Sequence, residues 1–172
     1  MKGKEEEYWP GWFSVFGFGY ILIMLELLLF ILIRPKPAIK WLKFLGMVTW
    51  GAAAILWIIP VITFKRKGKI EKGKSFINTT VLVDSGIYGI IRHPQYLASI
   101  FLGIAIILFS QHWLFVVVGV PAVVLTYLGI RDQDHYLIKK FGEDYERYME
   151  RVPRINFLSG ILRLFQFRRK EK

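Results

Sequence analysis

Residues 86–96 read Gly-Ile-Tyr-Gly-Ile-Ile-Arg-His-Pro-Gln-Tyr, and they join a basic, polar segment to an apolar run that begins at Leu97. Pro94 suits the first position of a helix, because the N–H that proline lacks would be unpaired there anyway. A helix that begins at Pro94 presents free N–H groups and the positive end of its dipole beside Arg92 and His93. Such a place suits a carboxylate or a phosphate. We therefore expect a polar site where this segment meets the apolar run.

The composition indicates a membrane protein. Of the 172 residues 54% are hydrophobic, yet 24 Lys and Arg stand against 13 acidic residues, for a net charge of +11. Long uncharged runs separated by basic loops reconcile these values in a multi-pass membrane protein. The length predicts one domain over residues 1–172. The chain has no cysteine, so thiolate catalysis, disulfides and cysteine metal sites are excluded, and we expect no metal site.

Four apolar stretches are predicted to cross the membrane as helices. At about 1.5 Å per residue the first is roughly 33 Å long, enough for a hydrocarbon core. Only Gln111 and His112 separate the last two, which should form an antiparallel hairpin. The first span contains Glu26, and an ionisable group in a span defaults to a functional or paired role. The predicted fold is an all-α integral membrane protein with about four transmembrane helices, over residues 12–33, 41–64, 94–110 and 113–131.

The C-terminal region is predicted to be helical and cytoplasmic, over residues 132–172. The fourth helix should continue through Lys140 and end at Gly142 in the left-handed conformation. A short helix over 143–151 should follow, then an amphipathic helix over 155–167 in the membrane interface. Residues 75–85 are predicted to be extended or irregular. Because 20 of the 24 basic residues fall on one side of the four spans, both termini are expected in the cytoplasm.

The hairpin should bring two polar groups of residues together. Both of its open ends return to one membrane face, which sets residues 92–96 beside residues 131–135. Spacing of i, i+3 and i+4 places Tyr127, Arg131 and Asp134 on one helix face. Simpler roles remain open: the tyrosines of residues 86–96 could anchor the chain at the interface, and Asp134 could pair with Arg131 on a solvated helix.

Two blocks of sequence carry a family resemblance. Residues 82–96 resemble the LVxxGxYxxxRHPxY signature of a superfamily that includes isoprenylcysteine carboxyl methyltransferases and phospholipid methyltransferases. Residues 141–154 resemble its C-terminal FGxxYxxYxxxVPR pattern. Together the blocks span residues 82–154, in the right order around the hairpin.

The resemblance implies methyl transfer from S-adenosylmethionine to a lipid-like acceptor, an isoprenylcysteine carboxylate or a phospholipid amine, at the cytoplasmic face. In the family, the RHPxY region and an acidic pair before the FG contribute to the cofactor pocket. That pair falls on Gln133 and Asp134, of which only Asp134 keeps a carboxylate. The implied catalytic residues are Arg92, His93 and Asp134. The implied cofactor-binding residues are Tyr88, His93, Pro94, Tyr96, Arg131, Gln133 and Asp134.

The sequence leaves open both the chemical group that accepts the methyl and the functional class of the protein. A carboxylate acceptor needs no base, whereas an amine must lose a proton, for which His93, Asp134 or a tyrosinate are candidates. An NADPH-dependent reductase related to sterol reductases is the second hypothesis, and a non-enzymatic lipid-binding membrane protein is the third. Partners are expected to be membrane lipids and a lipid or prenylated acceptor. Nucleic acid is disfavoured, because the charge borders apolar spans. The acceptor and the oligomeric state are left open.

Overall fold

The computed structural model describes residues 14–69 and 80–170 of the chain, and for 164–170 it describes the backbone alone. These residues form six α-helices and one 3₁₀ turn, Gly86–Gly89, without a strand. The all-helical class is therefore confirmed for the described residues. The helices are α1 Val15–Ile33, α2 Lys40–Lys67, α3 Pro94–Ser110, α4 Trp113–Phe141, α5 Glu143–Arg151 and α6 Phe157–Lys170.

Three of these helices, α1, α2 and α4, are long and apolar enough to cross a membrane. Helix α3 is also apolar but has 17 residues, which makes it about 26 Å long. A fourth span and the cytoplasmic placement of the termini remain predictions. The first two residues of the predicted span 12–33 lie outside the described residues, as do residues 70–79.

Helices α1 to α4 pack in the spatial order α2, α3, α4, α1. Small residues let α1 approach α4 closely, since a Cβ at Gly129 would lie 2.8 Å from the backbone of Phe16. The α3–α4 hairpin is confirmed, and its tip is tied to the start of α2. The Gln111 side chain bonds both the N–H and the C=O of Ile39, each at 2.8 Å. The start of α3 and the end of α4 therefore lie at the opposite end of the bundle.

Glu26 lies inside this bundle and is fully buried. Its carboxyl group sits against Gly103 and Gly119, where the absence of a side chain makes room for it. Neither carboxyl oxygen has a hydrogen-bond partner among the described residues. The structure therefore packs the Glu26 side chain tightly between helices, without a hydrogen-bond partner among the described residues.

Helix boundaries follow the sequence signals closely at proline and glycine. Helices α3 and α5 have the predicted bounds, and α2 extends to Lys67, three residues beyond the predicted span. Gly142 ends α4 with a φ of 58°, which favours glycine, but its ψ of −138° differs from the predicted left-handed helical conformation. Residues 80–85 are irregular as predicted, whereas the 3₁₀ turn after them was not foreseen.

Candidate functional site

Asp134 is the centre of a polar cluster at the open end of the α3–α4 hairpin. Its Oδ1 accepts hydrogen bonds from Arg92 Nη1 at 2.9 Å, from Tyr145 at 2.7 Å and from His93 Nε2 at 2.7 Å. Its Oδ2 accepts a bond from Arg154 Nε at 2.9 Å. Four donors thus satisfy one carboxylate, and the donors come from segments on both sides of the hairpin. We call these five residues the Asp134 cluster.

Backbone pairing holds the two sides of the cluster together. The N–H groups of Arg92 and His93 donate to the carbonyl oxygens of Pro153 and Arg154, both at 3.0 Å. The connection between α5 and α6 is thereby fixed beside the first turn of α3. This pairing places the Arg154 side chain within reach of Asp134.

Tyr88 and Tyr148 fasten the 3₁₀ turn to α5. The Tyr148 hydroxyl donates to the Tyr88 carbonyl oxygen at 2.6 Å. The Tyr88 ring stacks on Phe64 of α2, with centroids 4.6 Å apart and ring planes 12° apart. The side chain of Tyr88 therefore packs on α2, and no described contact joins it to the Asp134 cluster.

Burial controls the electrostatics of the cluster. Arg92, His93 and Asp134 are 8%, 5% and 2% exposed. Burial lowers the pKa of His93; the hydrogen bond and charge of Asp134 oppose this shift, and the neighbouring guanidinium charges add to it. The imidazole is then neutral at pH 7. An ionised carboxylate cannot donate, so the proton on His93 is assigned to Nε2, facing Asp134.

Two further features leave the cluster able to bind an anion. With His93 neutral, two guanidinium groups face one carboxylate, so one positive charge is left over. The Nε of Arg92 is buried and has no hydrogen-bond partner among the described residues. A buried donor of this kind is costly unless something accepts from it.

Tyr145 serves the cluster as a donor. Burial, together with the charge and hydrogen bond of Asp134, raises the pKa of Tyr145 above its ordinary value. The phenol therefore keeps its proton at neutral pH. Its ring also lies beneath the Arg92 guanidinium, 6.0 Å from centroid to Cζ. Tyr145 thus positions both Asp134 and Arg92.

Tyr96 and Gln133 form a half-buried edge next to the cluster. The Tyr96 hydroxyl donates to Gln133 Oε1 at 3.3 Å. The Tyr96 ring meets the His93 ring edge-on, at 5.4 Å between centroids, and contacts Phe16 of α1 at 4.4 Å. Gln133, which stands where the resemblance expects an acid, therefore has a polar partner on α3.

Arg131 lies elsewhere. Tyr127, Arg131 and Asp134 share a helix face by spacing, but Tyr127 and Arg131 are exposed whereas Asp134 is buried. Packing against the other helices sets the rotation of α4, and Thr126 and Ile130 lead to Asp134 along its buried face. No hydrogen bond or ion pair joins Arg131 to another residue in the described part of the chain. Asp134 pairs instead with the Arg92 and Arg154 guanidinium groups.

The predicted site residues thus divide into two groups. The structure brings Arg92, His93, Asp134, Tyr96 and Gln133 to one place, with Pro94 buried at the first position of α3, while Tyr88 and Arg131 stand apart. Sequence reasoning missed Tyr145 and Arg154 as partners of Asp134. Both belong to the C-terminal FGxxYxxYxxxVPR pattern, so the signal was present in the residues that carried the resemblance.

Fold and site together define a helical membrane protein with a buried, cationic polar cluster at one end of a hairpin. The phospholipid methyltransferase family model matches residues 41–144, which is more than half of the chain. The chain belongs to the phospholipid methyltransferase family, whose methyltransferases act on lipid-like substrates. Comparisons with curated proteins and with solved structures gave no significant match. The matched range contains Arg92, His93 and Asp134 and ends one residue before Tyr145.

Proposed function

We propose that the chain transfers a methyl group from S-adenosylmethionine to the amine of a lipid-like acceptor at the cytoplasmic face of a membrane. Family membership supports methyl transfer to a lipid-like substrate. The cofactor, the amine and the membrane face are the further steps of this proposal.

The convergence of both sequence blocks on Asp134 is the observation that carries the proposal. Arg92 and His93 come from the block before α3, whereas Tyr145 and Arg154 come from the block after α4. Residues 52 positions apart in sequence, such as His93 and Tyr145, lie within 3.5 Å of each other. Side chains of both blocks meeting at one place is what a shared cofactor site requires.

The residues present fit S-adenosylmethionine. Its carboxylate would suit the unpaired Arg92 Nε and the excess positive charge of the cluster. The half-buried Gln133 beside the cluster offers an amide to the polar groups of a nucleoside. When bound, S-adenosylmethionine supplies an electrophilic methyl group on its sulfonium. The chain's own task is then to position the acceptor and to exclude water.

An amine acceptor must first lose a proton, and the structure favours His93 as the base. Tyr145 keeps its proton because its pKa is raised, and Asp134 already accepts four hydrogen bonds. His93 is neutral, with its Nε2 proton held by Asp134, so its Nδ1 lone pair is the remaining acceptor. Asp134 then stabilises the imidazolium once Nδ1 has taken the proton.

Titration calorimetry on the purified full chain tests the cofactor. We expect saturable binding of S-adenosylmethionine and of its demethylated product, and none of NADPH. An Arg92→Lys variant keeps a positive charge but loses the guanidinium, both its unpaired Nε and the Nη1 that donates to Asp134. If the Nε bond to the ligand is made, the variant should bind S-adenosylmethionine at least roughly 10- to 150-fold more weakly, the loss expected for one hydrogen bond to a charged group. Arg131→Lys, at the exposed arginine of α4, is the matched control and should bind normally. Binding of NADPH alone would indicate the reductase, and binding of neither would indicate a lipid-binding protein.

A further inference from the structure

Helix α6 has an exposed apolar face that is separate from the Asp134 cluster. Phe157, Leu158 and Leu162 are 40%, 75% and 63% exposed. At 3.6 residues per turn they fall with Ile161 within a sector of about 140°. A contiguous group of exposed, large apolar side chains is typical of an interaction surface, whereas single exposed apolar residues are not.

Close backbone packing fixes the position of α6. Gly160 lies directly against the carbonyl of Ile90, so that no side chain fits between them. Ile90 comes four residues before Pro94, where the apolar helix α3 begins. Helix α6 is therefore held at the level where the chain enters its apolar layer, next to the bilayer boundary that the spans define.

The charge of α6 complements an anionic surface. Residues 163–170 include Arg163, Arg168, Arg169 and Lys170 and no acidic residue. The Arg163 side chain is exposed and donates to the Glu150 carbonyl oxygen at 3.1 Å. An apolar face combined with basic residues is the pattern of helices that lie in the membrane interface and are drawn there by anionic lipid.

We propose that α6 docks on the anionic surface of the same membrane that the chain spans. The three exposed apolar side chains insert at the boundary between headgroups and acyl chains, and the basic sequence of residues 163–170 attracts the helix to anionic lipid. This inference rests on the contacts and charge of α6 and does not depend on methyl transfer.

The absence of cysteine allows a direct test, because a single introduced cysteine can be labelled. The full chain carries an environment-sensitive fluorophore at Leu158→Cys or Leu162→Cys and is reconstituted as one copy per nanodisc. The control label is Glu146→Cys, at an exposed position of α5. We expect nitroxide-bearing lipids to quench the two α6 labels but not the control. Quenching should be several-fold stronger with roughly one-third phosphatidylserine than with phosphatidylcholine alone.

Charge removal provides the second arm. Stepwise R168Q, R169Q and K170Q should each lower the ratio of inserted to water-exposed label about fivefold, the factor that ~1 kcal/mol represents. Salt near 1 M, where the Debye length is about 3 Å, should also lower the ratio of inserted to water-exposed label. Free inorganic phosphate added to neutral discs should not raise that ratio as anionic lipid does. The proposal is overturned if the α6 labels are as unquenched as the control. It is equally overturned if quenching is the same in neutral and anionic discs.

Discussion

Replacement of Asp134 by asparagine should destabilise the protein strongly. The change preserves the size of the side chain but removes its negative charge. That charge faces the Arg92 and Arg154 guanidinium groups, and the carboxylate that carries it also accepts hydrogen bonds from His93 and Tyr145. Leaving a buried charge without its partner costs about 3–5 kcal/mol. The four bonds do not add to more than this, because Arg154 has a side chain that is 38% exposed and can turn to water.

Such a loss is large beside the ~5–15 kcal/mol that stabilises a typical domain. At about 2–4 °C per kcal/mol for a chain of this size, the midpoint of thermal unfolding in detergent should fall by roughly 6–20 °C. The matched control is Asp144→Asn, because Asp144 pairs with Arg147 at 2.8 Å while both side chains are largely exposed. That variant should melt like the parent. If Asp134→Asn also melted within about 2 °C of the parent, the charge of Asp134 would not stabilise the fold.

Three further predictions concern pH, packing and the acceptor. Burial puts the pKa of His93 in the folded chain below the ~6.5 of the unfolded chain. The unfolded chain therefore binds more protons than the folded chain between these two pKa values. As a result the melting temperature should fall as the pH is lowered below ~6.5. His93→Gln should flatten this dependence while His135→Gln, at an exposed histidine, leaves it; equal profiles in all three proteins would contradict the burial argument. Gly119→Ala should destabilise by about 1–3 kcal/mol, since its Cβ would meet Glu26 and lie 2.8 Å from Ile107 Cδ1. Gly51→Ala has open space around it and should be neutral or stabilising by up to ~1 kcal/mol, so similar melting shifts for both glycines would refute the packing account. Turnover of acceptors with identical headgroups should rise with the length of the acyl chain and then level off, because the acceptor is proposed to reach the site from the bilayer. Each buried CH₂ contributes about 0.8 kcal/mol to that rise. Equal turnover of the water-soluble headgroup alone would exclude entry from the bilayer.

The sequence predicts this fold well where local signals are strong. Pro94 begins α3, Gly142 ends α4 and Pro153 follows the end of α5, and each acts on the backbone around it. The meeting of Arg92 and His93 with Asp134 was also predictable, because helix length alone returns both ends of the hairpin to one level.

Local sequence signals did not predict which face of α4 is buried or where the chain folds back after α5. Spacing placed Asp134 on a face with Arg131. Asp134 is nevertheless buried beneath partners from the segments before α3 and after α4, whereas Arg131 is exposed. Arg154 reaches Asp134 only because the connection after α5 folds back and pairs with the backbone of residues 92 and 93. The FGxxYxxYxxxVPR pattern singles out Arg154, but the partner that Arg154 meets depends on tertiary structure.

The same fold-back explains why the two sequence blocks occur together. Pairing between residues 92–93 and 153–154 holds the backbone of one block against the other, and Asp134 then joins their side chains. A change in either block should therefore weaken the stability of the cluster as well as any ligand binding there, because the same atoms serve both. Arg92→Lys removes the unpaired Nε and also the Nη1 donor to Asp134, so its melting temperature has to be measured beside its ligand affinity to separate these two effects. Arg92 Nε, a buried donor with no hydrogen-bond partner in the described part of the chain, is thus the most informative place to look for the ligand.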